Sequence, residues 1–220
     1  MTGESPFESR EKGEVMTKVW LLRHGQTEAN IVGRFAGRTA EPLTEEGRRQ
    51  AREAGRRLRG EGIRRIYVSP LPRTLETARL VAQELEKDPE IIPEPAFLEI
   101  NLPPWEGKRK IEIRRDPRLK YEVWEKTPHL FQLPGCETLA EVLKRAVKGC
   151  ERIFEREKGL STLIVTHMVV VRVLLVHYLG LPLSAYRQIP VPNATPILLQ
   201  KEGERVVIKA PFDLPEANVA

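Results

Sequence analysis

The 220-residue chain is 40% hydrophobic and 30% charged, which is apolar mass for one medium-sized core under a charged surface. Its net charge of +5 suits an anionic substrate and is shared by many nucleic-acid binders. No apolar run approaches the roughly 20 residues of a membrane helix, the first residues lack the apolar centre of a signal peptide, and two cysteines are too few for a disulfide framework.

Residues 1–16 read as a flexible extension of alternating charge, with Met16 an alternative start, and residues 17–220 as a single domain. Lys18–Leu22 predicts a buried first strand ending at Arg23-His24-Gly25, where Gly25 is expected to permit a sharp turn. Thr44 caps the next helix, with Glu45 and Glu46 facing the positive end of its dipole. Gly47, Ala51, Ala54, Gly55 and Leu58 give that helix a narrow face of mostly small residues for close packing on a sheet. Its arginines (Arg48, Arg49, Arg52, Arg56) and Arg59 just beyond occupy other faces and read as a solvated surface rather than a nucleic-acid site.

Ile66–Ser69 predicts a second strand, and a helix follows from Arg73 to about Glu86. Ile91-Ile92 is a short third strand. From 93 to 134 the pattern breaks into prolines, mixed charge and two tryptophans, Trp105 and Trp124, which reads as an inserted lid. Thr138 to about Glu157 is an amphipathic helix, Leu163–Thr166 a fourth strand, and Met168–Leu179 a largely apolar helix. Thr195–Gln200 and Val206–Lys209 flank a hairpin-like turn. Strands alternating with helices predict an α/β fold. Its form is a three-layer α/β/α sandwich with a mostly parallel central sheet, an antiparallel edge strand and a small helical or irregular lid.

His24 and His167 each follow an apolar strand, the position where open α/β sheets present functional side chains. Neutral imidazole can attack phosphorus near pH 7 without a separate base. Arg23 beside it and Arg73 after the second strand offer planar donors matched to phosphate. Glu99 lies among apolar residues that raise a carboxyl pKa, so it can serve as the acid for a leaving alkoxide, with Glu106 as a competitor. His129 and His177 read as a loop histidine and a locally bonded helix histidine. Trp105 and Trp124 read either as caps on a nonpolar substrate portion or as packing under the lid. Cys136 and Cys150 read as reduced thiols in a cytoplasmic protein, a single bridge being the alternative.

Leu22-Arg23-His24-Gly25-Gln26-Thr27-Glu28-Ala29-Asn30 resembles the signature of the histidine phosphatases, the phosphoglycerate-mutase-like superfamily. Ser69 to Ala78, Leu98-Glu99 with Trp105-Glu106-Gly107, and Val165-Thr166-His167 with Arg172 are similar to its later motifs in the same order. The resemblance implies that His24 becomes a phosphohistidine. It implies that Arg23, Arg73 and His167 hold the phosphoryl group, that Asn30 assists, and that Glu99 gives and recovers the proton. It implies a small phosphate ester as substrate, with no metal and no cofactor. No nucleic-acid or membrane partner is expected, and a homodimer is the assembly left open.

Ala40, Pro103, the Pro134–Thr138 turn and Met168-Val169 depart from the family's usual residues, the last pair standing where it could narrow the pocket. The alternatives are a phosphoglycerate mutase and a noncatalytic phosphate-binding module. The acid segment lacks the Glu-Arg-His-Tyr-Gly-like pattern of mutases, which favours hydrolysis. Phosphoserine, α-ribazole phosphate, sugar phosphates and phosphoglycerates all stay open as substrates.

Overall fold

The computed structural model describes residues 16–215, so the expected N-terminal extension lies outside the described residues except for Met16. In chain order the elements are β1 (Thr17–Arg23), α1 (Glu28–Ile31), α2 (Glu45–Arg57), β2 (Arg65–Val68), α3 (Pro72–Ala82) and β3 (Glu90–Pro93). They continue through α4 (Lys110–Arg115), α5 (Tyr121–Lys126), α6 (Leu139–Arg156), β4 (Ser161–Thr166), α7 (Met168–Tyr178), β5 (Ile197–Glu202) and β6 (Arg205–Lys209). The sheet order is β3-β2-β4-β1-β5-β6. β1 to β4 run parallel, and the C-terminal hairpin adds two antiparallel strands at the β1 edge.

Strand alternation dictates the layers. Val19, Leu21, Tyr67 and Ile164 point to one face, where they meet buried residues of α6 and α7 such as Val142, Phe154 and Val173. Leu22, Ile66, Val68, Leu163 and Val165 point to the other, against Ala54 of α2 and Ala78 and Val81 of α3. A period-2 apolar pattern on both faces requires helices on both sides, and this is the three-layer arrangement expected.

Helix ends follow local chemistry. Thr44 Oγ1 accepts from Gly47 N at 3.0 Å, and Thr138 with Glu141 forms a reciprocal capping box. α3 stops at Ala82 rather than near Glu86. Glu84 N and Leu85 N turn back to Val81 O and Ala82 O in tight three-residue bonds that redirect the chain toward β3.

Gly25 departs from expectation. Its φ is not left-handed, so no sharp turn is what requires glycine there. A Cβ on Gly25 would stand 2.3 Å from Gly47 O, and one on Gly47 would stand 2.1 Å from Gln26 O. The pair of glycines lets the start of α2 press backbone to backbone on the chain that follows His24.

The lid is built from short pieces. Pro95, Pro103, Pro117 and Pro128 each open a 3-10 turn, at positions where a missing N–H costs nothing. Trp105 is fully buried, and its ring contacts Phe35, Tyr121, Trp124 and Phe131 with centroids 5.1–5.8 Å apart. Backbone bonds from Phe35 to Lys108, Gly107 to Phe35 and Lys110 to Gly33, at 2.8–3.0 Å, strap the lid to the segment after α1. Cys136 is half-buried, Cys150 is buried, and both are free thiols.

Candidate active site

β1 and β4 are neighbours, and their last residues, Arg23 and Thr166, are in register. His24 N donates to Thr166 O at 2.9 Å, extending the ladder one step and placing His24 beside His167. The two rings stand 5.4 Å apart, edge to face. His24 Nδ1 lies 2.7 Å from Gly25 O, so that nitrogen carries the hydrogen and donates, and Nε2 keeps its lone pair. His167 Nε2 lies 2.7 Å from Ser69 Oγ, while its Nδ1 is buried with no protein partner.

Burial, reinforced by Arg73 and Arg23, holds the His24 pKa well below its ordinary 6.5. Burial and Arg73 lower His167 likewise. Both imidazoles are therefore neutral at pH 7. His24 is in the form that can attack phosphorus. His167 offers a hydrogen-bonding group, and it becomes a third cation only when an anion beside it raises its pKa.

Arg73 is 2% exposed, and its guanidinium donates to Gly37 O at 2.6 Å and Thr39 O at 3.1 Å. Arg23 donates to Val191 O at 2.8 Å, leaves its Nε buried without a protein partner, and is pushed down to about 10 chiefly by burial. Asn30 Oδ1 accepts from Thr27 N and from Asn193 Nδ2, each at 3.2 Å, which turns its own amide N–H groups outward. Asn193 also donates to His24 O at 2.9 Å.

Glu99 accepts from its neighbour's backbone, Ile100 N, at 2.8 Å. Burial raises its pKa above the ordinary 4.5, and the Ile100 and Val169 N–H groups with Arg73 only partly offset this. Glu106, the competitor, is taken up elsewhere: it accepts from Gly37 N at 3.1 Å and Arg38 N at 2.7 Å. It does not line the cavity that holds the other groups. That cavity, of about 380 Å³, is bounded by Arg23, His24, Asn30, Arg73 and Glu99, together with Met168 and Val169.

His167 does not itself line the cavity; it is buried with its ring against that of His24, which does. The structure thus brings all six sequence-predicted residues to one place. His129 and His177 are not among them. His129 sits in the turn at Pro128–Leu130, and His177 is exposed on α7 against the Tyr178 ring, 4.9 Å away, without the expected hydrogen-bond partner among the described residues. Trp105 contributes packing alone, whereas Trp124 does both, packing on Phe131 and lining the cavity.

Several contributors were beyond sequence reasoning. Arg34, Lys110, Tyr121, Arg187 and Asn193 also line the cavity. Behind it, Arg38 Nε and Arg145 Nη2 donate to Glu99 O at 3.1 and 3.3 Å, and Glu137 bridges both arginines at 2.8–3.1 Å. A recess with two arginines, paired neutral imidazoles and a buried carboxyl of raised pKa defines a phosphoryl-handling α/β protein.

The family model of the histidine phosphatase superfamily, branch 1, matches residues 19–213. Phosphoserine phosphatase 1 of Hydrogenobacter thermophilus is 32% identical over 88% of this chain and 90% of its own length. A probable phosphoglycerate mutase of Proteus mirabilis is 31% identical over 82% of this chain and 83% of its own. The solved structure of YhfR from Bacillus stearothermophilus superposes with a TM-score of 0.84 at 31% identity, covering 90% of this chain and 98% of that one. The chain belongs to the histidine phosphatase superfamily, and its relatives place it among the phosphoric monoester hydrolases.

Proposed function

We propose that this protein hydrolyses a small organic phosphate monoester through a phosphohistidine on His24, without a metal. In the first step His24 Nε2 attacks phosphorus in line with the ester oxygen, which leaves with the proton of Glu99. In the second, the Glu99 carboxylate takes a proton from water, and the resulting nucleophile displaces His24 and releases phosphate. Arg23, Arg73, Asn30 and His167 hold the equatorial oxygens, where charge is spread through a loose transition state. Protein cations thereby supply the charge neutralisation a metal would bring.

The observation that carries this reading is the His24 ring, fixed by Gly25 O at 2.7 Å and set 5.4 Å from His167 between two arginines. Positioning and electrostatics are what phosphoryl transfer demands of a protein. A module that only bound phosphate would have no use for a buried Glu99 of raised pKa lining the same cavity as the imidazole.

Acid quenching during turnover should trap an acid-labile, base-stable phosphoenzyme, and His24→Ala should abolish both it and activity. Turnover without any such intermediate would overturn the phosphohistidine route. If the trapped group passed to a phosphoglycerate faster than to water, the mutase alternative would replace hydrolysis.

A further inference from the structure

Beyond the phosphoryl-binding groups, the same cavity is lined by three more cations, Arg34, Lys110 and Arg187. Arg34 is neutralised by Glu41 at 2.5 Å. Among the described residues, neither Lys110 nor Arg187 has an ion-pair partner. Both are nonetheless anchored. Lys110 opens α4, its backbone N–H bonded to Gly33 O at 3.0 Å, within the strap that fixes the lid. Arg187 donates from Nη2 to Trp124 O at 2.6 Å, which leaves its other N–H groups for a ligand.

The opposing charge is as informative. Among the described residues Glu99 is the one acidic residue lining the cavity, and burial raises its pKa above the ordinary 4.5. An ammonium on a substrate would meet two cations without ion-pair partners, while the single carboxyl, Glu99, is committed to the ester oxygen. A neutral polyol would leave those cations without acceptors. The remaining wall, with Phe35, Tyr121, Trp124 and Met168, is apolar or aromatic and supplies no compensating anion.

We infer that the preferred ester carries a second anionic group, a carboxylate, and no cationic group. Its class is a phosphorylated hydroxy acid, rather than phosphoserine, a sugar phosphate or α-ribazole phosphate. Lys110 and Arg187 are the specificity-determining residues. The inference rests on the proposed phosphoryl site, with the phosphate at Arg23 and Arg73.

The test uses three esters on one carbon skeleton: 3-phosphoglycerate, glycerol 3-phosphate lacking the carboxylate, and O-phosphoserine adding an ammonium. Calorimetric binding to the full-length His24→Ala protein avoids turnover. 3-Phosphoglycerate should bind at least about tenfold more tightly than either comparator, the scale of one charge-assisted hydrogen bond. Adding Lys110→Gln and Arg187→Gln, at two exposed positions, should close that gap. Equal binding of the three esters, no binding of any, or a gap that survives both substitutions overturns the inference. Failure of the hydrolytic reading shows elsewhere, as a wild-type protein that forms no phosphoenzyme.

Discussion

His24 and Glu99 are both shifted by burial, one down and one up, and in the proposed mechanism the two shifts set the pH range of activity. Burial lowers the imidazole, so the nucleophile is lost to protonation only as pH falls well below 6.5. Burial raises the carboxyl above 4.5, so the acid is lost as pH rises through that higher value. A bell-shaped profile of kcat/KM follows, its rising limb belonging to His24 and its falling limb to Glu99. Glu99→Gln should remove the falling limb and slow alkyl esters by about 10²–10⁴-fold, while aryl esters with good leaving groups lose far less. Steady-state rates across a leaving-group series check this, and equal losses throughout would show that Glu99 is not the acid.

At the level of elements, the loop from Gly37 to Thr39 decides where Arg73 points, and Glu106 decides where the loop sits. Its carboxylate holds the Gly37 and Arg38 N–H groups, and the Gly37 and Thr39 carbonyls hold the guanidinium. Glu106→Ala should orphan two donors, cost roughly 1–3 kcal/mol of stability, and raise the inhibition constant of inorganic phosphate about tenfold. Glu106→Gln, which restores one acceptor, should recover part of the affinity. Strands were legible because their apolar runs are the sheet itself, and both imidazoles were legible because they stand one residue past those runs. Glu106 was misread as a competing acid, since its partners are loop amides some 70 positions earlier in the chain. The lid helices escaped because prolines reset the chain every few residues, and their order comes from aromatic contacts rather than periodicity. Lys110, Arg187 and Asn193 gain meaning only from tertiary placement.

For the whole molecule, most of the arginines on α2 are offset by neighbouring acids. Arg48, Arg49, Arg56 and Arg57 pair with Glu45, Glu46, Glu53, Glu76 and Glu84. Such exposed pairs add little stability, yet they cancel the local field. Sensitivity to acid comes instead from the site. His24 and His167 have folded pKa values well below the 6.5 of an unfolded chain, so the unfolded state binds their protons first. Their contribution is complete above 6.5 and is lost as pH falls toward the lowered values. Glu99 works in the opposite sense, its contribution fading as pH rises above 4.5. The melting temperature should fall from pH 7 to pH 5, and a His24→Asn, His167→Asn double variant should show a shallower fall. Scanning calorimetry at matched ionic strength distinguishes the two slopes.

β4 enters the sheet between β1 and β2, two strands that lie far earlier in the chain. A polypeptide whose first hundred residues were in place would already own Arg23, His24 and Arg73, but with a slot where the middle of its sheet belongs. The strand that fills the slot is also the one that brings the second imidazole. In the proposed mechanism, completion of the sheet and completion of the pocket therefore depend on the same strand.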